Sequence, residues 1–410
     1  MLTEKAPHPA FSYLIYLGCA VAFFTIPFGS NIGRDFFYIS SYLSLIVIFL
    51  HAKYFFRNKM NLILPMLFFC VGIGSILWMS DFKQPGDYIN IYRSYLSTGK
   101  LQIATAFLLL FALNERLCMQ RAFIVVALSC GLAVNGYALY QGLILNIPRI
   151  ELNFDRATVV AYIMTAISLV MMQAILMLQT RYRLILYVLA FLLTFSSIIL
   201  TGTRAAMLVY PLASILSLLA TTELISRKRK IQLVISIPLL LLVSGVVFKT
   251  QIEKRISDFK TDIQRIDQPK VENSIISRLS MQVVAIHAGS DALWGQSAEL
   301  RGEKIRTIVA QEPQLYGAMP YINVHLHNEL LETFSLKGLW GALCLLALYI
   351  GLFVSSLRPH RNALLLGISF SLFAYGLSDV VFFSKEGTVI FCLAIIASVL
   401  SVKKSREPTA

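Results

Sequence analysis

The 410-residue sequence predicts an all-α integral membrane protein with about 12 transmembrane helices and one long loop outside the bilayer. Composition, the length of the apolar runs and the distribution of charge lead to this class. Apolar residues make up 57% and charged residues 14%, against about 45–50% and about 25% in soluble domains. The apolar runs recur at lengths that suit the roughly 20 residues of a spanning helix. They are apolar all round and lack the period of two that a membrane β-barrel needs, so helices are expected.

In chain order the runs are 11–29, 36–52, 60–79, 100–114, 121–144, 157–179, 184–200, 204–221, 231–248, 334–356, 362–383 and 387–402. The first follows a single basic residue, Lys5, and has no small-residue cleavage site, so a retained helix is expected rather than a signal peptide. Lys53, Arg57 and Lys59 separate the second run from the third. The fourth is short and follows a polar, aromatic outer segment at 80–99, with Asp81-Phe82-Lys83, Tyr88, Tyr92, Arg93 and Tyr95. Thr201-Gly202-Thr203-Arg204 splits the seventh run from the eighth. The basic run Arg227–Lys230 precedes the ninth.

Charge tests this division. With twelve spans, the termini and the even-numbered loops share one face, which holds 17 basic and four acidic residues. The chain's net charge of +14 then divides into +13 on that face and +1 on the other. Cytoplasmic loops carry the Lys/Arg excess, so both termini are expected in the cytoplasm. The basic balance is thereby a topology signal beside anionic lipid, and no nucleic-acid partner is implied.

Residues 1–410 read as one polytopic domain, from which 249–333 forms a periplasmic excursion between spans nine and ten. Two amphipathic helices are expected there. Ile252, Ile256, Phe259, Ile263 and Ile266 recur at helical spacing, as do Ile275, Leu279, Val283 and Ile286, and Pro269 and Asn273 separate the two sets. Both apolar faces need a partner, either the membrane surface or the outer ends of the spans. Of the six cysteines, five lie in apolar runs and none in the long loop, so no disulfide framework or thiolate metal site is expected. No P-loop and no GxSxG elbow occurs, which argues against nucleotide hydrolysis and serine-hydrolase chemistry.

The chemistry-bearing residues gather on the outer side. His325, His327 and Asn328 open an apolar helix. A helix start favours a neutral, base-competent imidazole and attracts anions. A capped interfacial helix accounts for the same residues without chemistry. His325-X-His327 with Glu329 and Glu332 is also a conceivable metal set. The i,i+2 spacing does not put two ligands on one helix face, and HExxH is absent, so no metal is expected. Arg204, between two spans, is either a snorkelling arginine or an anion clamp, and Arg278 in the second loop helix is a second candidate clamp. Asp379 sits towards the outer end of span eleven, where an acid is a functional suspect or an arginine partner.

These residues resemble a known family. His327-Asn328, nine further residues and then Gly338-Leu-Trp-Gly341 match the motif of the bacterial O-antigen ligases, within the wider ligase/polymerase family of lipid-linked-glycan enzymes. Thr201–Ala205, the Ser-Arg-Leu around Arg278 and Gly376–Asp379 look like family segments in the family's order, and Asp81–Lys83 and Ser94–Leu96 look like its enterobacterial branch. The resemblance implies a GT-C-like membrane fold and a periplasmic, inverting glycosyl transfer that needs neither metal nor cofactor. The implied donor is O-antigen on undecaprenyl diphosphate, and the implied acceptor is a lipid A–core sugar. In this scheme His327 is the base, Arg204 and Arg278 hold the diphosphate, and Lys83, His325, Asn328 and Asp379 support them. Tyr88, Tyr92 and Tyr95 suit sugar stacking or interface anchoring. An O-antigen polymerase or a protein O-oligosaccharyltransferase shares these parts. A lipid-linked-oligosaccharide flippase should instead show midplane charges and inverted repeats, which the sequence lacks.

Overall fold

A computed structural model describes residues 5–153, 156–222, 224–265, 273–357 and 362–403. Glu4, Asp155, Glu223, Ile266, Pro269, Arg358, Arg361, Lys404, Arg406 and Glu407, which entered the charge and loop arguments, lie outside the described residues. The described residues form sixteen α-helices and no strand. They run α1 Pro9–Thr25, α2 Asn31–Leu50, α3 Ala52–Phe55, α4 Ile63–Phe82, α5 Ile89–Asn114, α6 Gln120–Leu139, α7 Ala157–Met177 and α8 Arg183–Thr201. The chain continues as α9 Arg204–Ala220, α10 Arg227–Val247, α11 Lys249–Gln264, α12 Ser274–Ser290, α13 Ala298–Gln311, α14 Glu329–Leu357, α15 Ala363–Gly376 and α16 Lys385–Ser401.

Each of the twelve apolar runs contains a helix. Among the described residues, nine helical segments are long and apolar enough to cross a membrane: α1 with the turn that continues it to Phe28, α2, α4 to α8, α10 and α14. α9, α15 and α16 are shorter, at 17, 14 and 17 residues. The all-α membrane class is therefore met. The break between α8 and α9 falls where Gly202 takes a left-handed conformation, φ 67°, which costs glycine nothing. α7 lies at the centre and is buried along nearly its whole length.

Two expected boundaries move. The fourth span does not start at 100, because α5 begins at Ile89. The tyrosines of that first stretch face inward. Tyr92 is fully buried and stacks on Trp78 at 5.0 Å, while Tyr88 and Tyr95 are also buried. The Tyr92 hydroxyl meets Glu299 Oε2 at 2.5 Å and accepts the Ala298 N–H at 2.9 Å, tying α5 to the start of α13. These rings are structural and offer no face to a sugar. The eleventh span stops at Gly376, seven residues early, so Asp379 lies in the connection to α16 rather than within a helix.

The segment expected as a loop is helical. α12, α13 and a 3-10 stretch at Pro313–Tyr321 share a small core of Met281, Val284, Ile305, Leu315 and Leu326. α11 forms as expected, but none of its residues is buried, and Ile256, Phe259 and Ile263 are exposed. On α12 the expected apolar face is the outer one. Leu279, Val283 and Ile286 are exposed, while Ile276, Met281, Val284 and Ala288 pack inward. Small residues on the buried side let α12 approach its neighbours closely, and the sequence pattern alone favoured the larger side chains.

α14 is kinked at Gly338, which has φ 68° and ψ −162°. That region is essentially open to glycine alone. The kink admits the chain at 293–296: the Leu339 N–H donates to Leu293 O at 2.8 Å, and the Gln296 N–H donates to Leu336 O at 2.8 Å. A Cβ on Gly338 would stand 2.2 Å from Leu293 O. Gly338→Ala should therefore lower the thermal midpoint of the detergent-solubilised protein, by a loss of about 1–3 kcal/mol from backbone strain alone. Gly245→Ala, where a Cβ meets open space, should leave the midpoint within a degree or two of wild type. Equal midpoints for the two variants would refute the kink.

Candidate active site

Asn328 caps α14. Its Oδ1 accepts the Leu331 N–H at 3.1 Å, and its Nδ2 donates to Leu377 O at 3.2 Å. The residue before it, His327, has φ 45°. Left-handed backbone is uncommon outside glycine, and histidine is among the residues that tolerate it. The turn is held from beneath by Glu332, whose Oε2 accepts the Leu326 N–H at 2.9 Å and Arg301 Nη1 at 2.7 Å. Both charged side chains of that ion pair are fully buried.

Asp379 reaches the same turn from the far side. Its Oδ1 accepts His327 Nδ1 at 3.1 Å and the Val380 N–H at 2.9 Å, and its Oδ2 accepts the Tyr162 hydroxyl at 3.2 Å. A carboxylate acceptor requires the proton on His327 Nδ1, which leaves Nε2 as the basic nitrogen. His327 keeps some exposure, whereas His325 is buried against it with ring centroids 4.4 Å apart. Burial pulls the His325 imidazole down to about 4, against the opposing pull of Asp379. His325 is thus neutral at ordinary pH, and its Nδ1 has no hydrogen-bond partner among the described residues.

The set of His325, His327, Glu329 and Glu332, weighed above and set aside as a metal site, does not come together. Glu329 accepts from the Tyr349 hydroxyl at 2.6 Å and from the Phe382 N–H at 2.7 Å, and Glu332 is committed to Arg301. The histidines meet Asp379 instead, and the ligand atoms of His325, His327 and Asp379 lie within 4.8 Å of one another.

Arg204 opens α9. Both of its terminal nitrogens donate to Asp262 Oδ2 at 3.1 Å, and its guanidinium lies 5.8 Å over the Phe259 ring. The same Asp262 oxygen accepts the hydroxyl of Ser274, the first residue of α12, at 2.9 Å. Arg278 is half-buried one turn further along α12, close enough for its charge to act on Tyr162, the partner of Asp379. Arg204, Arg278, His325, His327, Asn328 and Asp379 therefore share one end of the bundle. Lys83 is exposed at the end of α4 and, among the described residues, makes no hydrogen bond or ion pair with this cluster.

Residues 189–346 match the O-antigen ligase family. One relative, the O-antigen ligase of Escherichia coli (strain K12), is 29% identical over 369 residues, covering 87% of this chain and 85% of the relative. The resemblance drawn from the His-Asn…Gly-x-x-Gly spacing is thus borne out. The segment matching the O-antigen ligase family contains Arg204, Arg278, both histidines, Asn328 and the glycines of the motif, while Lys83 and Asp379 lie outside it.

Several residues of this site escape a sequence reading. Arg301 sits in Ala-Glu-Leu-Arg-Gly-Glu-Lys, which looks like a solvated helix face, yet it is fully buried. Lys337, a spacer position of the family motif, donates to Ser75 Oγ at 2.7 Å and lies 4.0 Å from the Tyr95 ring centroid. Tyr162 lies in an apolar run that gives no sign of a partner 217 residues away.

The depressed His325 imidazole has a consequence for stability. Below about 6.5, its ordinary value, the unfolded chain takes up a proton that the folded chain refuses until about pH 4. Stability should fall as pH drops through that window. His325→Asn removes the group, so the fall in thermal midpoint between pH 6.5 and 4 should become shallower than in wild type. Parallel curves for the two proteins would contradict the burial of a neutral His325.

Proposed function

We propose that this protein moves an O-antigen glycan from undecaprenyl diphosphate to a sugar hydroxyl of lipid A–core, with inversion and without a metal or other cofactor. The observation that carries the reading is the Asp379–His327 pair, which leaves Nε2 as the basic nitrogen of a partly exposed imidazole. The match of residues 189–346 to the O-antigen ligase family supports ligase activity in lipopolysaccharide assembly, and the E. coli relative bears that name. The site faces the periplasm of the inner membrane, the termini are cytoplasmic and the fold is GT-C-like; the +13/+1 division of charge supports the orientation.

In this scheme His327 Nε2 takes the proton of the acceptor hydroxyl as its oxygen attacks the donor's anomeric carbon. The bond from that carbon to the diphosphate oxygen breaks, and its electron pair leaves with the diphosphate. Attack from the face opposite the leaving group inverts the centre. The proton stays on His327 as imidazolium, which Asp379 stabilises. General-base action of this kind contributes about 10²–10⁴-fold. A diphosphate is a good leaving group, so a second carboxyl acid of the glycosidase type is not needed. Arg278 and Arg204 offset its growing charge.

Product formation from purified protein, a lipid-linked glycan and rough lipopolysaccharide tests the whole reading. His327→Ala should abolish product while donor binding persists. Asp379→Asn should cut turnover by a factor in the hundreds or more, because the orienting carboxylate is lost. Arg204→Ala and Arg278→Ala should each weaken donor binding about 10- to 100-fold, the order of a lost charge-assisted contact, and lysine should restore only part of it. Arginine variants that bind and turn over like wild type would return these residues to an interfacial anchoring role. Because His325, His327 and Asp379 stand close enough to share a cation, the assay is also run in chelator. Activity should persist there, and loss restored by one divalent ion would favour a metal centre. A single cysteine at exposed Glu303, in a cysteine-free background, should react with an impermeant maleimide supplied from the periplasm. Labelling only after the inner membrane is opened would reverse the topology.

A further inference from the structure

Away from the histidines, α2, α5 and α16 enclose a groove of about 580 Å³. The three helices begin at the same face of the bundle. Tyr95 of α5 reaches Glu332 of the histidine turn at 3.4 Å, Phe383 just before α16 lies 4.9 Å from His325, and Ser41 of α2 donates to Ala104 O of α5 at 3.0 Å. The groove is graded along its length. Near the helix starts it is lined by Arg34, Lys100 and Lys385, with Asp35 as the single acid. Further along α2 and α5 its wall turns apolar at Leu45, Ile103 and Phe107, with Tyr38 and Tyr42 between the two zones.

The cations stand where fixed electrostatics disfavour them. Lys385 is the first residue of α16 and Arg34 is in the first turn of α2, so both meet the positive end of a helix dipole. Lys100 is exposed on a spanning helix, eleven residues from its start, where a lipid-facing charge is costly. Among the described residues, none of the three has an ion-pair partner; Arg34 bonds only the Asn31 side chain. Three cations, two helix starts and an apolar lower wall together demand an anion joined to a hydrocarbon chain.

We propose that this groove is a binding site for an anionic phospholipid, with the phosphodiester held among Arg34, Lys100 and Lys385 and one acyl chain laid along Leu45 and Phe107. The volume suits one headgroup and part of one chain. The site is separate from the Arg204 and Arg278 region and does not depend on the reading given to those arginines.

The test is native mass spectrometry of the full chain titrated with phosphatidylglycerol or phosphatidylcholine of matched acyl chains. Phosphatidylglycerol should be retained at least tenfold better, and Lys100→Gln/Lys385→Gln should erase that preference. Lys254→Gln/Lys260→Gln, which removes two exposed charges elsewhere, should leave it intact. Leu45→Trp fills the apolar zone without touching a cation and should also reduce retention, which covers the case of a double variant that fails to fold. Equal retention of the two lipids, or a groove variant that holds phosphatidylglycerol like wild type, overturns the site. Displacement of the lipid by millimolar glycerol 1-phosphate would mark a free-phosphate site instead. Preference for a phosphorylated, multiply acylated glycolipid would likewise overturn the assignment to a phospholipid.

Discussion

The Glu332 carboxylate, sealed from water, holds together the parts on which the histidine turn depends. It accepts Arg301 of α13, the Leu326 N–H of the turn and, at 3.4 Å, the Tyr95 hydroxyl of α5. Burying such a pair costs several kcal/mol of desolvation per ion, so its value to stability is small. Its value here is geometric. Breaking it would leave an uncompensated buried charge, at roughly 3–5 kcal/mol, whereas any arrangement that keeps it fixes α13 and α5 against the start of α14. His325 and His327 flank Leu326 on the backbone, so their positions inherit that rigidity.

Much of the fold was legible because a lipid solvent imposes a simple rule: backbone polar groups must be satisfied within each segment. Apolar runs therefore became helices at every expected place. The errors fell where that rule weakens. The stretch 89–99, with Tyr92, Arg93, Ser94, Tyr95, Ser97 and Thr98, read as a loop, yet α5 runs through it because its tyrosines have an aromatic and polar pocket of their own around Trp78 and Glu299. α12 was placed correctly but turned, since its buried face is built from Ser277, Ser280, Ala285 and Gly289, which hydrophobic spacing discounts. α15 stops at Gly376 because the chain must turn there to bring Asp379 to His327.

The candidate site divides in the same way. His327, Asn328 and the two glycines were visible because local backbone geometry requires them: a cap, a left-handed residue and a kink that only glycine permits. Asp379 could be singled out as an acid near a span, but its bond to His327 spans 52 residues and has no local signature. Arg301 and Tyr162 had no signal, since burial of a charge or a hydroxyl is decided by partners far away in sequence. Glu332 was noticed, but as a metal ligand. Its chemistry as an acceptor was plain, and its partner was not.

The arginines raise a final point about competition. Arg204 is engaged by Asp262, whose single Oδ2 gathers both guanidinium N–H groups and the Ser274 hydroxyl. That donor set is the one a phosphate oxygen would use, so on the proposed reading a lipid diphosphate must displace a carboxylate. The exchange is favourable on charge, because a diphosphate brings more negative charge than one carboxylate and can engage Arg278 as well. It also needs Asp262 to withdraw. α11 suits this, since none of its residues is buried: Ile252 near its start packs on the core, and Asp262 near its end is held by Arg204, Asn273 and Ser274. A helix fixed by few buried apolar contacts belongs to the low-stability part of a fold, so its carboxylate can leave without disturbing the core beneath His327.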